Sequence, residues 1–151
     1  MQYKRIAESL MHRFKTRDPF RIAADLGYIV IRIPMNGIRG FFHCIKRQKI
    51  IYIDSNLPNR EARFVCAHEI GHAQMHRGYN RVFMDANTYF PVNRQEIEAN
   101  CFAVELLYDD SELAFLLEYP VQLAADYMGV SIELAEYRLG SINSKQYHNQ
   151  E

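Results

Sequence analysis

Cysteine, net charge and long apolar runs are all scarce in this chain. Its 151 residues include three cysteines, Cys44, Cys66 and Cys101, with no CxxC pair. That excludes a disulfide framework and a cysteine-built zinc site, and the odd count points to a reducing compartment. Lys plus Arg and Asp plus Glu both number 18, so the formal net charge is zero. A balanced chain has no general attraction to nucleic acid or anionic lipid. No stretch reaches the ~18 uninterrupted apolar residues of a membrane span. The opening segment MQYKRIAESLMHRF spaces its apolar residues as a helix does, so it does not read as a signal peptide. The expected location is the cytoplasm. No internal repeat, low-complexity tract or linker interrupts the sequence.

What is present suffices for a core. Hydrophobic residues make up 48% and charged residues 24%, which excludes disorder as the main state. One α+β domain over residues 1–151 is expected. Tyr3, Ile6, Leu10 and Phe14 recur at helical spacing, predicting an amphipathic helix over 2–16. Asp18-Pro19 opens a second helix that Gly27 closes. Residues 28–34 (YIVIRIP) read as a strand, and Asn36-Gly37 with Gly40 as a turn. Phe41–Ile45 and Lys49–Ile53 read as a hairpin joined by Lys46–Gln48. A helix is expected from Pro58 to about His76, stopped by Gly78. Residues 79–93 read as a long loop, followed by a helix over Arg94–Leu107. Two or three short helices then fill 110–140, with a boundary at Gly129 and Ser131, before a frayed tail.

Residues 68–72 read His-Glu-Ile-Gly-His. Positions four apart lie on one helix face, so His68 and His72 can both reach one zinc ion. Glu69 is rotated off that line, where it can hold and deprotonate a water instead of ligating. The competing reading is two histidines on a half-buried helix, hydrogen-bonded locally. Gly71 is odd inside a helix, since glycine costs about 1 kcal/mol relative to alanine. Close passage of another backbone would explain it.

A catalytic zinc needs a third protein ligand and an open position. The segment Arg94–Ala103 supplies the best source. Glu96 and Glu98 lie about 200° apart around a helix, so only one can face the metal. Glu96 is the preferred ligand, and Asn100, one turn on, could orient a ligand from behind. Glu98 has an alternative as a surface partner of Arg94. Ala99 and Ala103 are small enough to let two helices approach. His76 continues the four-residue series, but three such histidines span about 12 Å of helix axis. It reads better as a favourable charge at a helix C-terminus. The pattern HExxHxxGxxH is absent, because position 75 is Met and position 78 is Gly.

With these residues in place, the chain resembles the ImmA/IrrE family of metallopeptidases. The resemblance rests on DPFRIAADLG, the GFF turn after a strand, KIIYIDSNLP, RFVCAHEIGHAQMH and EIEANCFAVELL, and it covers most of the chain. It implies a small zincin-like fold, mostly helical, with a short three-stranded sheet before the HExxH helix. It implies zinc ligation by His68, His72 and Glu96, with Glu69 as catalytic base. The family's Leu-Leu-Met-Pro or Leu-Leu-Leu-Pro segment is here Leu106-Leu107-Tyr108-Asp109, without the proline. The length leaves no room for the sensor domain of IrrE-type proteins, which favours the ImmA-like type. By resemblance, the implied function is a zinc-dependent endopeptidase that cleaves a helix-turn-helix repressor of a phage or integrative element. The alternative is a zinc-stabilised protein that sequesters such a repressor without cutting it.

Three further expectations concern surroundings. An oxyanion would want another donor, for which Tyr79, Tyr89 and His76 are candidates. The strand Lys49–Ile53 could be an edge on which substrate backbone pairs. Residues 121–139 resemble a helix-turn-helix, but the would-be recognition helix carries Glu133 and Glu136 with only Arg138 basic. That charge suits packing or protein docking rather than direct contact with nucleic acid.

Overall fold

The structure is a computed structural model that describes residues 2–76, 81–84 and 94–142. Helix α1 (Gln2–Phe14) ends where Lys15 takes a positive φ of 57°. Asp18 then accepts the Phe20 N–H at 3.1 Å and Pro19 sets the first turn of α2 (Pro19–Asp25). Gly27, at φ 80°, turns the chain out of α2 and into β1 (Ile29–Ile33).

Strands β2 (Ile38–Ile45) and β3 (Gln48–Asp54) form the expected hairpin. Its loop is one residue shorter than expected: Ile45 pairs with Gln48, and Lys46 and Arg47 both have positive φ. A two-residue turn with this backbone matches the right-handed twist of its strands. The three strands before the metal-bearing helix are therefore present. A fourth, β4 (Arg81–Met84), pairs antiparallel with β2 inside the segment expected to be loop. Its four residues are too short to impose a period between Asn80 and Asp85.

The sheet order is β1-β3-β2-β4, with β1 parallel to β3 and the other pairs antiparallel. This overturns one expectation. Lys49–Ile53 lies within β3, paired on both sides, so it is no edge and has no free backbone groups for a substrate. The reason is the return of β1 alongside β3, parallel to it, while β2 already occupies the other side.

Helices α3 (Asn59–Met75) and α4 (Arg94–Leu107) follow the expected spans closely. Ala62, Val65, Cys66, Ala67 and Ile70 of α3 join Phe42, Ile51 and Ile53 of the sheet and Phe102, Ala103 and Leu106 of α4 in one core. Gly71 faces α4. A Cβ there would lie 2.8 Å from Phe102 Cδ1 and 3.4 Å from the Ala99 Cα, so the glycine and Ala99 set a close helix approach.

The C-terminal helices α5 (Asp110–Leu113), α6 (Val121–Met128) and α7 (Ile132–Gly140), with a 3-10 turn over Ala114–Glu118, bury their own cluster. It contains Leu113, Leu116, Ala124, Ala125, Met128, Ala135 and Ile142. Gly129, at φ 70°, closes α6, and Ser131 Oγ accepts the Leu134 N–H to open α7. Tyr108 packs against both clusters. Arg138 is buried rather than presented to solvent, while Glu133 and Glu136 are exposed. No helix among the described residues is long and apolar enough to cross a membrane.

Candidate active site

Helix α3 brings His68, Glu69 and His72 into the interior, at 0–1% exposure. Helix α4 supplies Glu96 from its first turn. The His68 Nε2 lies 3.0 Å from Glu96 Oε2, the His72 Nε2 lies 2.9 Å from Glu96 Oε1, and the two Nε2 atoms are 3.1 Å apart. Two ligand atoms at 2.0–2.1 Å from a tetrahedral zinc would be about 3.3 Å apart, close to each of these three distances. His68, His72 and Glu96 form a cluster able to hold a metal ion among the described residues. Two histidines from one helix and a glutamate from the next make a gluzincin-type site. The choice of Glu96 over Glu98 agrees with this placement. Glu98 lies 3.3 Å from Arg94, as its alternative foresaw, and also 3.8 Å from His76.

The ring orientations favour the ligand role. His68 Nδ1 is 2.7 Å from Asn100 Oδ1, an acceptor only, so Nδ1 carries a proton and Nε2 is the nitrogen turned toward Glu96. Asn100 therefore occupies the orienting place expected of it. His72 Nδ1 is 2.9 Å from His76 Nδ1, again on the side of the ring away from Glu96. Burial would raise the Glu96 carboxyl, but hydrogen bonds with His68 and His72 outweigh it and hold it far below the ordinary carboxylate range. With a metal bound, this carboxylate and the two Nε2 atoms would be the ligand set, a combination that zinc accepts.

Glu69 is the exception in this interior. It is 0% exposed, and neither carboxylate oxygen has a hydrogen-bond partner among the described residues. Burial first, and then the negative charge of Glu96, push its carboxyl well above the usual range. An unpaired buried carboxyl is costly for stability, so its presence calls for a chemical reason. Gly40 of β2 makes room beside it: a Cβ there would lie 3.7 Å from Glu69 Oε1 and would collide with Val65. In the sequence Gly40 reads only as turn punctuation. A glycine within an otherwise aromatic strand is the signal that could have marked a close approach.

His76 is half of what the sequence suggested. It does end α3, its N–H bonding the His72 carbonyl at 2.8 Å. Its ring, however, turns inward and is 8% exposed. Burial, then the neighbouring His72, lower its pKa, with Glu98 opposing. It sits behind His72 rather than beside the Glu96 face, so it is no oxyanion donor in this arrangement. Tyr79 and Tyr89 lie outside the described residues.

The three cysteines stay out of the site. Cys44 is exposed, whereas Cys66 and Cys101 are buried. Burial pushes the Cys101 thiol up to about 11, so it carries no thiolate near neutral pH.

The chain is similar to known proteins. The immunity region protein 2 of Bacillus phage phi105 is 40% identical over 140 residues, covering 89% of this chain and 87% of that protein. Metallopeptidase ImmA of Bacillus subtilis (strain 168) is 32% identical over 102 residues, covering 64% of this chain and 59% of that protein. The profile of the IrrE N-terminal-like domain matches residues 23–140, from within α2 to the end of α7, and with the His68–His72–Glu96 cluster in place the chain belongs to this ImmA/IrrE-like family of metallopeptidases.

Proposed function

We propose that this protein is a zinc-dependent endopeptidase that cleaves a helix-turn-helix repressor of a phage or integrative element and thereby relieves repression. The observation that carries the proposal is Glu69: a buried, unpartnered carboxyl one residue from a metal-binding histidine. A structural metal site has no use for such a group and would bring a fourth protein ligand.

In this reading His68, His72 and Glu96 hold the ion. Zinc in such a site polarises a carbonyl and makes a coordinated water acidic. Glu69 takes the proton of the attacking water, the hydroxyl adds to the scissile carbonyl carbon, and the same proton passes to the amide nitrogen as the C–N bond breaks. Water is consumed, and a carboxyl and an amine result. A carboxyl whose pKa is raised by burial is the stronger base when ionised, which suits that task. Asn100 holds His68 in the tautomer that ligates.

The relative named for an immunity region and the relative named a metallopeptidase support a repressor as substrate, which would place the reaction in the cytoplasm. The C-terminal helices, tied to the rest by Arg138 and Lys4, act in this reading as part of one domain. Residues 109–142 carry six exposed acids (Asp109, Glu112, Glu118, Asp126, Glu133 and Glu136), while Asp110 and Arg138 neutralise each other inside. Such a surface repels phosphates and suits a basic patch on a protein partner, such as the DNA-facing side of a repressor.

The test is to mix the protein with a helix-turn-helix repressor encoded beside it and weigh the products. Wild type should yield two fragments, while chelator-treated protein and Glu69→Gln should yield none. Equal fragments in all three would refute zinc hydrolysis. Complex formation without fragments in wild type would replace cleavage by sequestration.

A further inference from the structure

The ring of His76 is buried, at the end of the helix that carries both ligand histidines, and nothing in the chemistry described so far uses it. Its Nδ1 is 2.9 Å from the Nδ1 of His72. Only one of these two nitrogens can carry the proton between them. If His72 presents the Nε2 lone pair to a metal, its proton is on Nδ1, and His76 Nδ1 must be the acceptor. The His76 proton is then on Nε2, the atom that faces Glu98 Oε2 at 3.8 Å. Glu98 is steadied on its other side by Arg94, 3.3 Å away. The four groups are in series: Arg94, Glu98, His76, His72.

We propose that His76 is a positioning residue, which fixes the tautomer and ring angle of His72 by accepting its Nδ1 proton, with Glu98 aligning His76 in turn. The proposal rests on the reading of His68, His72 and Glu96 as metal ligands. It pairs with Asn100, which does the same for His68 from α4. The two ligands are thus braced differently, His68 by an amide and His72 by an imidazole. An imidazole acceptor is held in a definite plane by two ring bonds, so it restricts rotation of the His72 ring as well as its protonation. The polar positions 96, 98 and 100 of α4 therefore serve one site from two sides: Glu96 faces the ion, while Glu98 and Asn100 stand behind the two histidines.

The experiment measures zinc affinity of the purified full chain by competition with a chromogenic chelator, alongside the 15N shifts of the histidine rings. His76→Ala should bind zinc about 10- to 100-fold more weakly, the range found when the partner behind a ligating histidine is lost. The His72 ring should change from a single Nδ1–H form to a mixture of tautomers. His76→Gln, whose amide oxygen can accept the same proton, should recover most of the affinity and should fold even if His76→Ala does not. His12→Ala, an exposed histidine on α1, should match wild type. Wild-type affinity and an unchanged His72 tautomer in His76→Ala would overturn the proposal, as would a His76→Gln variant that folds but binds as weakly as alanine. His72→Ala separates the two layers of inference. If it binds zinc as tightly as wild type, the metal site itself is wrong.

Discussion

Helix α4 carries a buried charged cluster near each end, and the two are built by opposite rules. At its C-terminal end Arg138 enters the interior at 1% exposure and faces Asp110 Oδ1 at 2.8 Å and Glu105 Oε2 at 3.8 Å. Lys4 adds a second cation 2.6 Å from Asp110. The last carbonyls of α4 are also taken up: Arg138 donates to Val104 and Tyr108, and Arg17 donates to Glu105 and Leu106. This is how a helix end without a glycine or proline stop is satisfied, and how the chain turns at Tyr108-Asp109 without the family's proline. At the N-terminal end the rule is reversed. Glu96 is one anion shared between two imidazoles, and Glu69 has no hydrogen-bond partner among the described residues. Where each charge finds its opposite, the cluster holds helices together. Where charges are left over, the fold tolerates a cost that chemistry must explain.

The largest expected effect tests the second rule directly. Glu69→Gln keeps the shape and removes the base, so turnover should fall by about 10²- to 10⁴-fold. Zinc content should stay at the wild-type level, because the carboxyl is no ligand. Stability should hold or rise, since a buried group without a partner is replaced by a neutral one. A lower melting temperature with activity intact would mean that Glu69 belongs with the structural cluster.

Arg138→Met breaks the first rule. It leaves Glu105 without its cation, removes one of the two cations beside Asp110 and frees the carbonyls of Val104 and Tyr108. Removing one partner from a buried ion pair costs about 3–5 kcal/mol, and urea unfolding should show a loss of that order. Zinc affinity of the folded fraction should not change. A loss below about 1 kcal/mol, the range of exposed pairs, would show that the cluster is solvated.

Arg138 also shows where the sequence stops being legible. On sequence it is the lone base of a would-be recognition helix, and its charge reads as exposed. Only the packing of α7 on α4 reveals that the guanidinium serves backbone carbonyls distant in the chain. The candidate metal site was legible for the contrary reason. His68 and His72 are set by the four-residue repeat of one helix, and Glu96 by its place on the next, so local geometry decides them. The hairpin, α2 and α4 were readable from Asp18-Pro19, Gly27 and the apolar spacing. Strand β4 and the interior place of β3 were not, because pairing order depends on long-range neighbours that no local pattern encodes. His76 fell between the two cases. Its spacing was visible, but the direction of its ring depends on the end of α3 and on Glu98.

Gly71→Ala probes the contact that joins the two helices of the site. The new methyl would start 2.8 Å from Phe102 Cδ1, too close to keep without movement. Overpacking of this kind costs about 1–3 kcal/mol, less than the loss at Arg138. Because α3 carries the histidines and α4 carries Glu96, the shift should also weaken zinc binding. Phe102→Leu in the same chain should restore part of both, and the coupling in a double-mutant cycle measures it. Strict additivity would mean that the helices do not meet at this point.

The smallest effect separates the clusters by pH. Burial alone would raise the Asp110 carboxyl, but hydrogen bonds from Lys4 and Arg138 outweigh it and hold the pKa below its ordinary value. A carboxyl with a depressed folded pKa contributes stability that is fully present above its unfolded pKa of about 3.9 and is lost as pH falls through the folded value. The stability difference between wild type and Asp110→Asn should therefore be constant from pH 7 down to about 4 and shrink below that. Glu69 lies the other way: with its carboxyl raised, wild type should gain stability relative to Glu69→Gln as pH falls from the folded value toward the unfolded value of about 4.3, with no further change below that. A wild-type advantage over Asp110→Asn that persists unchanged at the acid end would show that the Lys4–Asp110–Arg138 bridge acts through its shape and hydrogen bonds, not through the ionised carboxylate.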